Sequence, residues 1–105
     1  MRYRVRIDPS AMRQIDEFAA YLRDYDEDFA FEQIERLDRI FRFNLGESPL
    51  TWSYFPLTGA PYRAYLFRVG RCTHHWIVYT VDEDNHTVDV LAFWNTARDP
   101  ESFEV

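Results

Sequence analysis

Residues 61–94 read as three consecutive strands, and no other stretch constrains the fold as much. Segments 62–69 (YRAYLFRV), 74–81 (HHWIVYTV) and 87–94 (TVDVLAFW) are each rich in β-branched and aromatic residues. The gaps between them carry turn residues, Gly70 in the first and Asp82 to Asn85 in the second. Gaps this short join antiparallel neighbours, so the stretch is a β-meander. The upstream half of the chain then covers one face of that sheet. Functional residues are expected on the other face and at the strand ends.

Upstream, residues 2–7 alternate without fault, with Arg2, Arg4 and Arg6 on one face and Tyr3, Val5 and Ile7 on the other. This is a half-buried strand. Its arginines point away from the core and are read as a device that blunts a sheet edge rather than as a ligand site. Asp8-Pro9 starts a helix, with a side-chain acceptor at the cap and a proline whose missing N–H is harmless in the first turn. Ala11, Ile15, Phe18, Ala19 and Leu22 fall on one stripe as far as about Tyr25. Asp26-Glu27-Asp28 interrupts the stripe and supplies the acidic start of a second helix, whose stripe is Ala30, Ile34, Leu37, Phe41 and Leu45. Glu32–Arg36, Glu35–Arg39 and Asp38–Arg42 are acid-first pairs four apart, which suits a solvated face. Gly46 is placed as a C-terminal stop. The expected fold is therefore α+β in the order β-α-α-β-β-β, a helical hairpin packed on one face of a mainly antiparallel sheet, as one domain over residues 1–105.

Charge narrows the function classes. The net charge is −6, and all twelve basic residues are arginines. A globally acidic chain is poorly matched to sequence-independent nucleic-acid binding, which displaces counterions with surplus positive charge. The distribution is uneven. Residues 1–47 hold eleven acids and eight arginines, residues 48–81 no acid and three arginines, and residues 82–105 seven acids and one arginine. The acid-free block either meets an acidic partner or is simply strand interior buried on both faces. A single cysteine, Cys72, fits a reducing compartment, no apolar run reaches membrane-spanning length, and the first residues lack a signal-peptide core, so a cytoplasmic protein without a membrane partner is expected.

Residues 46–61 show no periodicity but hold three prolines, two glycines, Trp52, Tyr54 and Phe55, as a packed Ω-like loop or a functional one would. The segment after Trp94 reads as an ordered turn and a tail. No phosphate-cradling glycine loop and no nucleophile elbow is present. A metal site would need Cys72, His74, His75 and His86, but adjacent His74 and His75 point to opposite faces, so neither a metal nor any other cofactor is expected. What remains is arginine and aromatic chemistry on a sheet: Arg63, Arg68, Arg71, Tyr79, Trp94 and Arg98. Such residues clamp phosphates and stack bases, or anchor a protein partner. Alternation sets Arg63 with Tyr65 and Phe67, and Arg68 with Ala64 and Leu66 on the opposite face.

The order of strand, helical hairpin and meander, with Tyr3-Arg4-Val5-Arg6-Ile7 before the helix start at Asp8, Tyr62-Arg63-Ala64-Tyr65, Trp76 to Asp82, and the ending Ala97-Arg98-Asp99-Pro100, resembles the RelE/ParE superfamily of type II toxins. The resemblance covers essentially the whole chain. It implies a toxin of the plasmid-stabilisation type, neutralised by a cognate antitoxin that wraps around it. Members similar to RelE are ribosome-dependent mRNA endoribonucleases that use basic, Tyr and His residues. At the corresponding positions this chain has Arg63 and Arg98, but Trp76 and Phe103 stand where an arginine and a tyrosine are usual. Trp and Phe cannot relay a proton or neutralise a phosphate there, and an arginine is a clamp rather than a base. The resemblance therefore favours the ParE-like branch, which inhibits DNA gyrase by binding, over an mRNA interferase or an inactive interaction module. The chain's acidity is unusual for either branch.

Overall fold

A computed structural model describes residues 2–70 and 73–103. The first strand, β1 (Arg4–Ile7), leads into α1 (Pro9–Tyr25) and α2 (Glu27–Arg39), which winds on as a π-helical turn (Ile40–Leu45). After the loop come β2 (Arg63–Val69), β3 (Thr73–Asp82) and β4 (Thr87–Asn95), then a 3₁₀ turn (Pro100–Ser102). The domain is α+β in the expected order.

The helix starts form for the expected reasons. Asp8 caps α1, its Oδ2 accepting from Ser10 N at 3.0 Å, with Pro9 in the first turn. The buried residues of α1 are Ala11, Ile15, Phe18, Ala19 and Leu22, the whole expected stripe. Asp26 turns extended and caps α2, accepting from Phe29 N at 3.1 Å. In the second helix the stripe slips. Ala30, Leu37 and Leu45 are buried, but Gln33 and Ile40 take inward places while Ile34 and Phe41 are half-buried. The wider π winding brings Ile40 and Leu45, five apart, onto one face, which a period of 3.6 does not foresee. Gly46 is not a left-handed stop, since its φ is −72°. It is needed for close approach: Tyr3 N donates to its carbonyl at 2.7 Å, and an added Cβ would lie 3.2 Å from the carbonyl oxygen of Phe41. Of the three expected helix pairs only Asp38–Arg42 closes among the described residues, at 2.9 Å. Arg36 instead reaches Gln33 and the carbonyl of Arg68 (3.0 Å), lying over the Phe67 ring.

The sheet order is β1-β4-β3-β2, antiparallel within the meander and parallel between β1 and β4. β1 is thus an edge strand. Arg2, Arg4 and Arg6 are exposed as alternation requires, and Arg6 makes a two-pronged pair with Asp89 at 2.8 and 3.2 Å. Between β3 and β4 the register shifts: Val78 faces Ala92 but Tyr79 faces Val90, leaving Leu91 as the extra residue of a bulge. The bulge changes the parity of β4, so that Val88, Val90 and Phe93 all enter the core under the helices while Ala92 joins a core on the opposite face.

That second core overturns the expectation of an open far face. Phe55, fully buried, is driven against Ala64, Val78 and Ala92, with Tyr62, Trp76 and Phe103 packed around it. Two backbone bonds pin the loop to the edge of β2, Phe55 N to Tyr62 O (2.8 Å) and Ala64 N to Ser53 O (3.0 Å). The loop is a packed plug, and its aromatics divide between two cores, since Trp52 stands edge-on to Tyr65 at 4.7 Å on the helix side.

Candidate partner-binding surface

The sequence-derived residues separate into those the fold consumes and those it leaves exposed. Arg63 begins β2 and faces the loop. Its Nη1 donates to Trp52 O at 2.7 Å and more weakly to Leu50 O at 3.4 Å, and its guanidinium lies 4.4 Å from the centre of the Tyr54 ring. Arg63 therefore holds the plug in place. Tyr79, its cross-strand neighbour, has no exposed surface and donates to Pro49 O at 2.6 Å. Burial pushes its phenol well above the ordinary tyrosine range, against a smaller opposing pull from Arg63. Tyr79 is thus an interior strut for the same loop and not a surface residue, a correction to its expected place. Trp94 is corrected likewise. It is buried and meets Phe103 edge-on at 5.0 Å, because the 3₁₀ turn folds back over it.

Arg98 and Arg68 stay exposed. The guanidinium of Arg98 lies 4.8 Å from the centre of the Trp94 ring. Arg68 stands on the outer edge of β2, on the face opposite Arg63, as alternation requires. Arg71, and Cys72 beside it, fall outside the described residues. Arg63 is settled on the loop, over the exposed Tyr54 ring, and Arg98 on the buried Trp94, rather than both facing a shared cleft.

Besides a shallower hollow of about 350 Å³ between β1 and the π-helical turn, two concave features stand out among the described residues. The first runs along the free edge of β2, about 480 Å³ in volume, between Arg36, Arg68, Trp52, Ser53, Leu66 and Trp76. The loop occupies the edge backbone at Ala64 and Arg36 occupies it at Arg68 O, which leaves Leu66 as the uncovered stretch between them. The second, about 540 Å³, lies between α1 and the ends of β3 and β4, with Phe18, Leu22 and Phe29 at its floor and Tyr21 and Tyr25 on its rim. Sequence reasoning missed this groove. The signal was present in Tyr21 and Tyr25, which sit three residues beyond Phe18 and Leu22 on α1 and are 68% and 85% exposed.

His75 reaches this second groove. It is 7% exposed, stacked on Phe93 at 4.3 Å and edge-on to Phe18 at 4.8 Å. Burial, helped by the neighbouring His74, holds its pKa down to about 4. The histidines are not merely polar strand ends, because the strand carries His75 beneath α1. Among the described residues no three His, Cys, Asp or Glu side chains gather as metal ligands would. Nor is any helix among them long and apolar enough to cross a membrane.

Strand, helical hairpin and meander, with the first strand returned parallel to the last, define a toxin domain of the RelE/ParE superfamily. A family model described as the ParE toxin of the type II toxin–antitoxin system, parDE, matches residues 5–100, and the chain belongs to that family. A comparison with curated proteins returned no match.

Proposed function

We propose that the chain is a growth-inhibiting toxin of the cytoplasm that works by binding a macromolecular target such as DNA gyrase, and that a cognate antitoxin neutralises it. The observation that carries this reading is how the interferase-like positions are used. Arg63 is bound to the carbonyls of the loop, Trp76 and Phe103 are packed around the second core, and Arg98 rests on Trp94. None of the four offers a proton donor and acceptor pair to a ribose hydroxyl. The exposed resources suit binding: an uncovered stretch of β2 edge flanked by Arg68 and Trp76, and an aromatic-rimmed groove beside α1. An antitoxin contributing acidic and apolar side chains would satisfy the first.

Induced expression of the chain alone should arrest growth and provoke a DNA-damage response. Co-expression of the small protein encoded directly beside it should restore growth. Unimpaired growth at full expression would contradict the reading.

A further inference from the structure

The negative charge of the chain is concentrated on the helical hairpin. Residues 14–35 run from the groove wall of α1 across the hairpin turn into α2, and they hold eight acids and one arginine, a net −7 against −6 for the whole chain. All eight acids are exposed, and none of them enters an ion pair among the described residues. Asp26 is occupied in capping α2. The others do the helices little good. Asp24 lies in the last turn of α1, where an acid opposes the helix dipole. Asp28, Glu32 and Glu35 follow at steps of four and three on α2, where like charges disfavour the helix. Arg36, four residues after Glu32, is turned instead to Gln33 and the carbonyl of Arg68.

The same segment carries the three most exposed large apolar side chains among the described residues, Tyr25, Tyr21 and Phe31. Tyr21 and Tyr25 follow Glu17 at four-residue steps along α1 and rim the groove floored by Phe18, Leu22 and Phe29. Gln14 on that wall already accepts from Phe93 N at 2.7 Å, and Arg98, the one cation lining the groove, lies over the Trp94 ring. Exposed aromatics ringed by charge, beside an apolar hollow, are the anatomy of a protein-binding patch.

We propose that the hairpin tip is the face that grips the toxin's target, and that it takes a basic segment of that protein. Lysine or arginine side chains of the segment lie against Asp24, Glu27, Asp28 and Glu32 and over the tyrosine rings, and an apolar side chain enters the groove beside Phe29. The assignment rests on the toxin reading above and names the face and the partner chemistry. Charge selects the occupant. A second copy related by two-fold symmetry would bring the same acids to the same place, and a nucleic acid or an anionic membrane would be repelled. An acidic antitoxin segment is turned away too, and suits residues 48–81, which hold three arginines and no acid. Sign thus keeps the two partners on different faces.

The test is growth on induced expression at equal soluble amounts, with the affinity of each purified chain for the adjacently encoded antitoxin measured beside it. Four chains are compared: wild type, Asp24→Arg with Glu32→Arg, Tyr21→Ala with Tyr25→Ala, and a control with Glu83→Arg and Asp84→Arg in the exposed turn between β3 and β4. The tip substitutions do not threaten the fold. Asp24→Arg suits the end of a helix, Glu32→Arg gives Asp28 a cation four residues on, and both tyrosines are exposed. Each chain should melt within about 5 °C of wild type. Both tip variants should need at least about tenfold more protein to halve the growth rate, while antitoxin affinity changes by less than about threefold, as expected outside the contact. The control makes the same change of four charges and should arrest growth as wild type does. Should one tip variant fail to fold, the other and the pair Asp24→Asn with Glu32→Gln, which removes charge and keeps shape, decide by the same measures. Tip variants that arrest growth like wild type, a control that loses as much as they do, or folded tip variants that no longer hold the antitoxin would each overturn the proposal and leave the toxin reading in place. Absence of arrest by wild type would overturn both.

Discussion

Replacing Phe55 by alanine should destabilise the protein by about 3–5 kcal/mol, the range found when a large aromatic is removed from a closed core. Phe55 has no exposed surface and stands edge-on to both Trp76 (5.8 Å) and Phe103 (4.9 Å). It joins the loop to the sheet and the C-terminal turn to the loop, so its loss leaves a cavity where all three meet. Because Arg63 and Tyr79 hold the other end of the loop, the chain should still fold, with a lower midpoint in urea. Leu57→Ala, on the same loop but 43% exposed, should change stability by less than about 0.5 kcal/mol. A loss below about 1 kcal/mol for Phe55→Ala would mean that the far face of the sheet is open after all.

Acid should weaken the fold well above the pH at which carboxylates titrate. Burial keeps His75 neutral down to about pH 4, whereas an unfolded histidine takes its proton near 6.5. Between those values the unfolded chain binds a proton that the folded chain refuses, so stability rises with pH across the window. The contribution is complete above about 6.5 and is lost progressively as pH falls towards 4. The gap bounds the loss at about 3 kcal/mol. Asp8 and Asp82 act in the same direction but lower down, since hydrogen bonds from Ser10 and Asn85 depress their pKa values and their share is lost only as pH falls through those values. Urea denaturation at pH 7.5, 6, 5 and 4.5 measures the slope, and His75→Phe should flatten it. A wild-type stability unchanged from 7.5 to 4.5 would show that His75 is not held neutral.

The sequence disclosed the order of elements because the local signals agreed with the tertiary fold. The stripe Ala11–Leu22 and the alternation of Arg2, Arg4 and Arg6 are periodicities that one buried face enforces, and both recur in the structure. The slips occur where periodicity is interrupted without a sequence marker. The π turn after Arg39 and the bulge at Leu91 each move one residue out of register, and neither contains the glycine or proline that would announce it. The surface was legible only in part. Arg68 and Arg98 remain exposed, but Arg63, Tyr79 and Trp94 are claimed by the loop and the C-terminal turn. Whether an irregular loop plugs a sheet face depends on long-range packing of one residue, Phe55, which no local pattern encodes. His75 was hidden for a related reason, since α1 covers it from more than fifty residues away in the sequence.

Supercoiling by purified DNA gyrase, measured with the chain added and then with the antitoxin added in excess, tests the central claim most directly. The account predicts loss of supercoiling with accumulation of cleaved DNA, reversed by the antitoxin. Full gyrase activity in the presence of the chain, together with ribosome-dependent mRNA cuts that Arg63→Ala abolishes, would contradict it.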